Sequence, residues 1–316
     1  MGKFVLTGVD GQLGGQAAEY VLESAKPTDN LVFTTRGIDR IPAEKLKRWK
    51  DQGVVVLAAD YDSVPSMEAA FKDADAVTLI STWMIGNIRR AQHRRAINAA
   101  KAAGVKRICY TSYIGAGEEK NTPLVASDHR DTEQAIYESG LDWSIQRNNF
   151  YLDNFFHVLF PTAAKFCDNK LLSNTSGTPT GYVAKADCAR VMAALLLGKG
   201  RPNVVYDVTG SRLVSDREIL AMVRDYTGWD GKEVEMTDDE LYEYWESRGV
   251  PRTVEGDYSK SPLPICTDDL VQNNVAIRTG IMAVVSDSVE RLTGHKPLSP
   301  KDVMLQWEDN LKLLRP

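Results

Sequence analysis

Apolar residues in the first half of the chain come in short runs: KFVLT at 3–7, LVFTT at 31–35, VVVLA at 54–58, AVTLI at 76–80, RICYT at 107–111 and DWSIQ at 142–146. Between them, apolar positions recur at helical spacing over 15–24, 41–52, 67–72, 87–103 and 123–139. Short continuous runs bounded by turn residues mark strands buried on both faces, and their alternation with helices marks a parallel sheet. Pro42 near one helix start, and Gly53, Gly104 and Gly140 just past helix ends, follow the usual asymmetry of helix termini. Thr122 is the expected N-cap of the helix that opens with Pro123. The expected fold is α/β, a Rossmann-type doubly wound parallel sheet with ligands outside the carboxyl ends of its strands.

The pattern loosens after Arg147. Residues 148–160 mix aromatics with amides, and 173–182 are rich in Gly, Pro and Thr. Helical spacing returns at 186–197, 215–226 and 237–248, with Thr237-x-x-Glu240 as a capping box and Gly249 and Pro251 as the stop. A strand is expected at 204–208 and a last helix from 299 to 314. The expected organisation is a dinucleotide-binding domain over 1–155, completed by the strand at 204–208, and a smaller, mostly helical C-terminal lobe over 156–316 with segments that cross between the two.

The 316 residues, 43% apolar and 26% charged, suffice for a sizeable core. A net charge of −5 provides no electrostatic basis for binding nucleic acid or an anionic membrane. No apolar run approaches the roughly 18 residues of a spanning helix. Cys109, Cys167, Cys188 and Cys266 show no Cys-x-x-Cys spacing, and the four histidines are dispersed, so no metal-ligand cluster is expected. A reduced, cytoplasmic protein is the default. It would act on a small-molecule substrate as a monomer or homodimer.

Chemistry enters with the first strand. Thr7 and Gly8-x-x-Gly11-x-x-Gly14 join it to the first helix. One glycine permits the sharp turn, one lets the backbone approach a diphosphate, and one permits close helix–strand packing. A helix opening at Leu13–Gly14 would aim free N–H groups at the phosphates, with Gln12 beside them as a further cofactor contact. An NAD-preferring fold places a carboxylate about 20 residues beyond the glycines. Here the second strand ends Thr34-Thr35-Arg36-Gly37. A guanidinium at that point can hold a 2′-phosphate, worth about 1.5–3 kcal/mol, so the expected cofactor is NADPH. Asp60 and Tyr61 follow the third strand, beside the adenine; Ser81, Thr82 and Trp83 follow the fourth, beside the nicotinamide ribose and the pocket mouth.

The TGxxGxLGG opening, Arg36 and Ala59-Asp60-Tyr61 resemble the NmrA-like atypical short-chain dehydrogenases, most closely the type-2 NADPH:quinone reductases and triphenylmethane reductase. Gln92-His93-Arg94, the Ile97–Val105 stretch INAAKAAGV and Tyr110-Thr111-Ser112 add to the resemblance. So do His129-x-x-Thr132-Glu133, Arg147-Asn148-x-x-Tyr151 with Asn154, and Gly294-His295-x-Pro297. The resemblance is dense to Asn154 and thin beyond. It implies a Rossmann domain with a small C-terminal lobe, NADPH in the cleft and substrate between the lobes. The family also includes regulators that bind the dinucleotide without turning anything over.

Ordinary short-chain dehydrogenases protonate the carbonyl oxygen with a Tyr-x-x-x-Lys pair, yet none of the twelve tyrosines here has lysine four residues on. His129 and Glu133, four apart on one helical face, stand in its place, as a general acid with its orienting carboxylate or as a contact to the nicotinamide ribose. Ser112 and Tyr113, just past the fifth strand, are the further catalytic candidates. Asn148 follows the sixth strand, in reach of the cofactor. Trp83, Tyr113, Asn149, Phe150, Tyr151 and Phe155 are candidates for a flat, apolar substrate, the phenylalanines equally for core. His93 reads as structural. The expected function is NADPH-dependent hydride transfer to an activated conjugated or aromatic acceptor, a quinone, ketone, aldehyde or imine. The alternative is a non-catalytic NADP(H)-binding redox sensor.

Overall fold

Strand and helix alternate from the first residues in the computed structural model, which describes residues 2–118, 123–263 and 265–315. The order is β1 (Lys3–Leu6), α1 (Gln12–Ser24), β2 (Asn30–Thr35), α2 (Ala43–Asp51), β3 (Val55–Ala58) and α3 (Val64–Phe71). Then come β4 (Ala76–Leu79), α4 (Asn87–Ala102), β5 (Arg107–Tyr113), α5 (Leu124–Glu138) and β6 (Asp142–Asn148). The chain continues through α6 (Phe160–Phe166), β7 (Lys170–Ser173), α7 (Lys185–Leu196), β8 (Val204–Val208), α8 (Asp216–Thr227) and β9 (Lys232–Glu235). It closes with α9 (Asp238–Glu246), α10 (Thr267–Arg278), α11 (Ser288–Thr293), α12 (Pro300–Gln306) and α13 (Glu308–Leu311).

Seven strands form one sheet in the order β3-β2-β1-β4-β5-β6-β8. All its pairings are parallel. The order reverses direction between β1 and β4, which leaves a crevice at their carboxyl ends, where ligands of such sheets bind. All four residues of β4 are buried, as a strand covered on both faces requires. The chain returns to the sheet after residue 155: Ala189, Met192, Ala193 and Leu196 of α7 share a core cluster with Ala17, Ala18 and Val21 of α1. Small residues on both helices permit that approach, and β8 adds the last strand.

The C-terminal region differs from expectation in detail. Phe155–Leu159 forms a π-helical turn that runs into α6. Both four-residue strands β7 and β9 pair as a separate two-stranded parallel sheet. The expected last helix breaks at Trp307, whose indole donates to Asp153 Oδ1 at 3.1 Å and stacks on His157, 4.7 Å between ring centres. Anchoring that ring holds its backbone off the helical path. The expected box caps as read, Thr237 with Glu240, and the structure adds a second, Ser299 with Asp302. Thr122 lies outside the described residues; α5 starts one residue after Pro123.

Candidate active site

The first cleft, of about 290 Å³, opens at the carboxyl ends of β1, β2, β3 and β4. Gly8 takes φ +65, a conformation glycine adopts without strain, and its carbonyl accepts the Gly11 N–H at 3.1 Å. A Cβ at Gly14 would lie 2.2 Å from the Gly8 oxygen, so only glycine fits. α1 begins at Gln12, before the glycine that was expected to open it, and no side chain caps its N-terminus. Its first N–H groups therefore remain available to a ligand. This loop fits a diphosphate.

At the β2 edge of the cleft Arg36 is exposed, and among the described residues no carboxylate pairs with it. Arg40, by contrast, is tied to Asp10 at 2.6 Å. Tyr61 sits in the wall with its hydroxyl engaged, 2.8 Å from Thr7 Oγ1 and donating to the Ile80 carbonyl at 3.2 Å. It thus braces β3 against β1 and β4, while Asp60 lines the cleft beside it.

Lys185 was absent from the sequence reading. It is the first residue of α7, only 7% exposed, and its Nζ donates to Gln12 Oε1 at 2.7 Å. The ammonium also lies 5.5 Å from the Tyr151 ring centre. A cation at a helix N-terminus opposes the dipole, and burial pushes its pKa down. Among the described residues no carboxylate comes within ion-pair distance of it. An anion at the start of α1 would meet that charge.

A second cavity, of about 450 Å³, shares Ser81 and Trp83 with the first and reaches to Tyr113, His129, Phe150, Tyr151 and α10. Trp83 is 70% exposed and stands between the two. His129 is 5% exposed, packed face to face with Tyr113 at 6.1 Å between centres.

A hydrogen-bond chain behind His129 sets its tautomer. Thr132 donates its hydroxyl proton to the Asp128 carbonyl at 2.8 Å, so it accepts from His93 Nδ1 at 2.9 Å. His93 Nε2 accepts the Thr82 N–H at 3.1 Å. The Tyr110 hydroxyl is then free to donate to His129 Nδ1 at 2.7 Å. With that donation the His129 proton sits on Nε2, and the ring lines the cavity. Burial, followed by the nearby Arg89 charge, pushes both histidines down, His93 to about 3 and His129 well below its ordinary value. At neutral pH the ring is an uncharged hydrogen-bond donor.

The family described as NAD(P)H-binding matches residues 8–198. The chain belongs to the NAD(P)H-binding family. Quinone oxidoreductase 2 of Escherichia coli (strain K12) is 29% identical over 302 residues, 92% of this chain and 93% of that protein. An NmrA-like family domain-containing oxidoreductase of Aspergillus flavus is 23% identical, covering 96% and 94% of the two chains. Among solved structures, Citrobacter sp. triphenylmethane reductase complexed with NADP(H) superposes with a TM-score of 0.79 at 25% identity, covering 96% of this chain and 99% of that one. The chain thus falls among NAD(P)H-dependent oxidoreductases of the NmrA and quinone reductase type.

Within this NAD(P)H-binding fold the other expected site residues divide. Glu133 does not orient His129: it accepts from Ser112 Oγ at 2.5 Å and from Arg147 Nε and Nη2 at 2.9 and 2.6 Å. Ser112 therefore reaches the cavity wall with its hydroxyl already engaged. Among the described residues the Tyr113 hydroxyl has no hydrogen-bond partner, and burial pushes its pKa up. Asn148 links Gln146 to the Tyr151 hydroxyl. Asn149 donates to the Met282 carbonyl and accepts the Phe150 N–H, so its amide serves the backbone. Phe155 corrects the expectation of a pocket wall: 2% exposed, it packs edge-on to Tyr182 within a core cluster of the C-terminal region and lines neither cleft. The π-helical turn starting at this residue carries its ring inward. His93 is structural, as read. Besides Lys185, Arg89 and Asp269 reach the second cavity without a motif to announce them.

Proposed function

We propose that the chain is an NADPH-dependent reductase that passes hydride to an activated, conjugated or aromatic acceptor without a tyrosine acid. The observation that carries this reading is a cavity walled by aromatic rings, joined at Ser81 and Trp83 to the glycine cleft and holding a neutral imidazole. Bound NADPH supplies the hydride. Gly8, Gly11 and Gly14 shape the diphosphate loop, Thr7, Gln12 and Leu13 flank it, and Lys185 offsets its charge. Arg36 takes the 2′-phosphate. Asp60 and Tyr61 border the adenine; Ser81, Thr82 and Asn148 border the nicotinamide end. Trp83, Tyr113, Phe150 and Tyr151 hold a flat acceptor and exclude water.

His129 donates its Nε2 proton as a hydrogen bond to charge that develops on the acceptor, the role of a preorganised neutral donor rather than of an imidazolium acid. Tyr110, a positioning residue, fixes the donor's direction. The pH profile of kcat tests the assignment. A neutral donor leaves it without an inflection near 6.5, and His129→Gln lowers kcat/KM about 10- to 100-fold with the profile unchanged in shape. An inflection near 6.5 in the wild type that His129→Gln removes would make the ring a general acid instead.

A further inference from the structure

We infer that the second cavity selects a cationic acceptor, a planar C=N⁺ (iminium) group, and that Asp269 is the residue that reads its charge. The inference rests on the reductase reading and narrows its acceptor class.

Asp269 sits in the first turn of α10 and lines both the main cavity and a smaller cleft of about 80 Å³ at its edge. One carboxylate oxygen accepts from Asn273 Nδ2 at 2.9 Å. Among the described residues no cation pairs with it. Arg89, a cation of the same cavity, forms no ion pair with Asp269: its Nε donates to the Thr82 carbonyl at 2.7 Å, and its Nη1 lies 3.7 Å from Asp128 Oδ2 without a hydrogen-bond partner among the described residues. Asp128 also holds Arg90 at 2.7 Å. His129 is neutral, and the tyrosines and Cys266 of the wall carry no charge at neutral pH. Burial pushes the Asp269 carboxyl up, against the Asn273 hydrogen bond and the more distant Arg89 charge, which both act to lower it. Glu255 adds negative charge at the smaller cleft, where Asp268 is paired with Arg252 at 3.1 Å. The faces of Tyr113, Phe150 and Tyr151 suit a flat cation, since an aromatic ring carries negative charge on its face.

The chemistry agrees with the electrostatics. In reduction of an iminium the carbon gains the hydride from NADPH, the C=N π pair moves onto nitrogen, and the products are a neutral amine and NADP⁺. No proton enters. A quinone or ketone must in addition protonate oxygen, and the described wall offers poor acids: a neutral His129 and a Tyr113 hydroxyl that is buried and pushed up. The cavity thus lacks the group a carbonyl needs and has the charge an iminium needs.

The test uses the full chain with an N-methyl dihydroisoquinolinium salt and, as a neutral acceptor of similar size, menadione. The wild type favours the cation in kcat/KM. Asp269→Asn raises its KM about 10- to 100-fold, as loss of a charge-assisted contact does, with menadione unaffected, and Asp269→Glu retains the preference. A quaternary tetrahydroisoquinolinium, which has no C=N bond to reduce, reports binding alone. By calorimetry on NADP⁺-loaded protein it binds the wild type and loses affinity by the same factor in Asp269→Asn. Equal losses for menadione and the iminium, or loss of menadione turnover alone, overturn the inference; the latter would make Asp269 a proton donor. No turnover of any acceptor, with the quaternary cation still held through Asp269, overturns the reductase reading and leaves the charge selection standing.

Discussion

The two clefts that meet at Trp83 are built by opposite strategies. The glycine cleft is made of backbone and strand tips, and its key residues stand at the ends of consecutive strands: Gly8 after β1, Arg36 after β2, Asp60 after β3, Ser81 after β4. The acceptor cavity is made of side chains from β5, β6, α5 and α10. Topology alone places the first set. Packing must place the second. A cofactor shared across a family can be bound by geometry that every member of the fold inherits, whereas an acceptor is read by side chains that vary freely.

If that contrast holds, disturbing the backbone of the glycine cleft has the largest effect. Gly14→Val drives a Cβ to 2.2 Å from the Gly8 carbonyl, so NADPH binding is abolished in a fluorescence titration. Thermal unfolding also registers a loss of about 1–3 kcal/mol from overpacking. Retained binding would mean that the loop is not the diphosphate site.

Acidification probes the histidine chain behind the cavity. His93 is pushed down to about 3 by burial, so the folded ring stays neutral while the unfolded ring takes up a proton near 6.5. Stability from this source is present above 6.5 and lost as pH falls. A His93→Gln variant therefore gains on the wild type by about 1.4 kcal/mol for each pH unit below 6.5, measured by denaturant unfolding. Asp216, pushed up to about 6 by burial, works in the opposite sense on both proteins, which makes their difference the readout. A constant difference across that range would show a histidine charged in the fold.

Two cations divide the cofactor. Arg36→Ala weakens NADPH about 10- to 100-fold and leaves NADH nearly unchanged, because only the 2′-phosphate is lost to it. Lys185→Met has the smallest effect, roughly 5- to 10-fold, and weakens both cofactors alike, because the diphosphate is common to them. Calorimetric titration of the two variants with both cofactors separates the roles. A Lys185 effect confined to NADPH would move it to the phosphorylated ribose.

The alternating sheet was legible in the chain because parallel strands buried on both faces must be continuously apolar, and glycines punctuate the turns between them. The glycine spacing, the absence of a carboxylate after LVFTT and the capping box at Thr237 carried local physics that survives folding. The acceptor cavity was legible only in part. His129 was found through its place on a helix, but its partner is Tyr110 from the neighbouring strand, not Glu133 four residues away. Helical spacing shows which residues share a face, not which neighbour a side chain prefers. Lys185 donates to Gln12 across 173 positions of sequence, and no local pattern encodes such a contact. Phe155 looked like its neighbour Phe150; a π-helical turn sends it to the core. Strands β7 and β9, four residues each, lack the continuous burial that reveals a strand: β7 opens on an exposed lysine and β9 is exposed at both ends.

The most direct test of the central claim follows NADPH oxidation by the absorbance of the reduced nicotinamide across quinones, aldehydes, ketones and cyclic imines. Each acceptor is repeated with NADH, and cofactor binding is followed separately by fluorescence. Turnover of one acceptor class with NADPH preferred is the predicted result. Tight NADPH binding with no turnover of any acceptor would contradict it and make the chain a sensor of the cofactor's redox state.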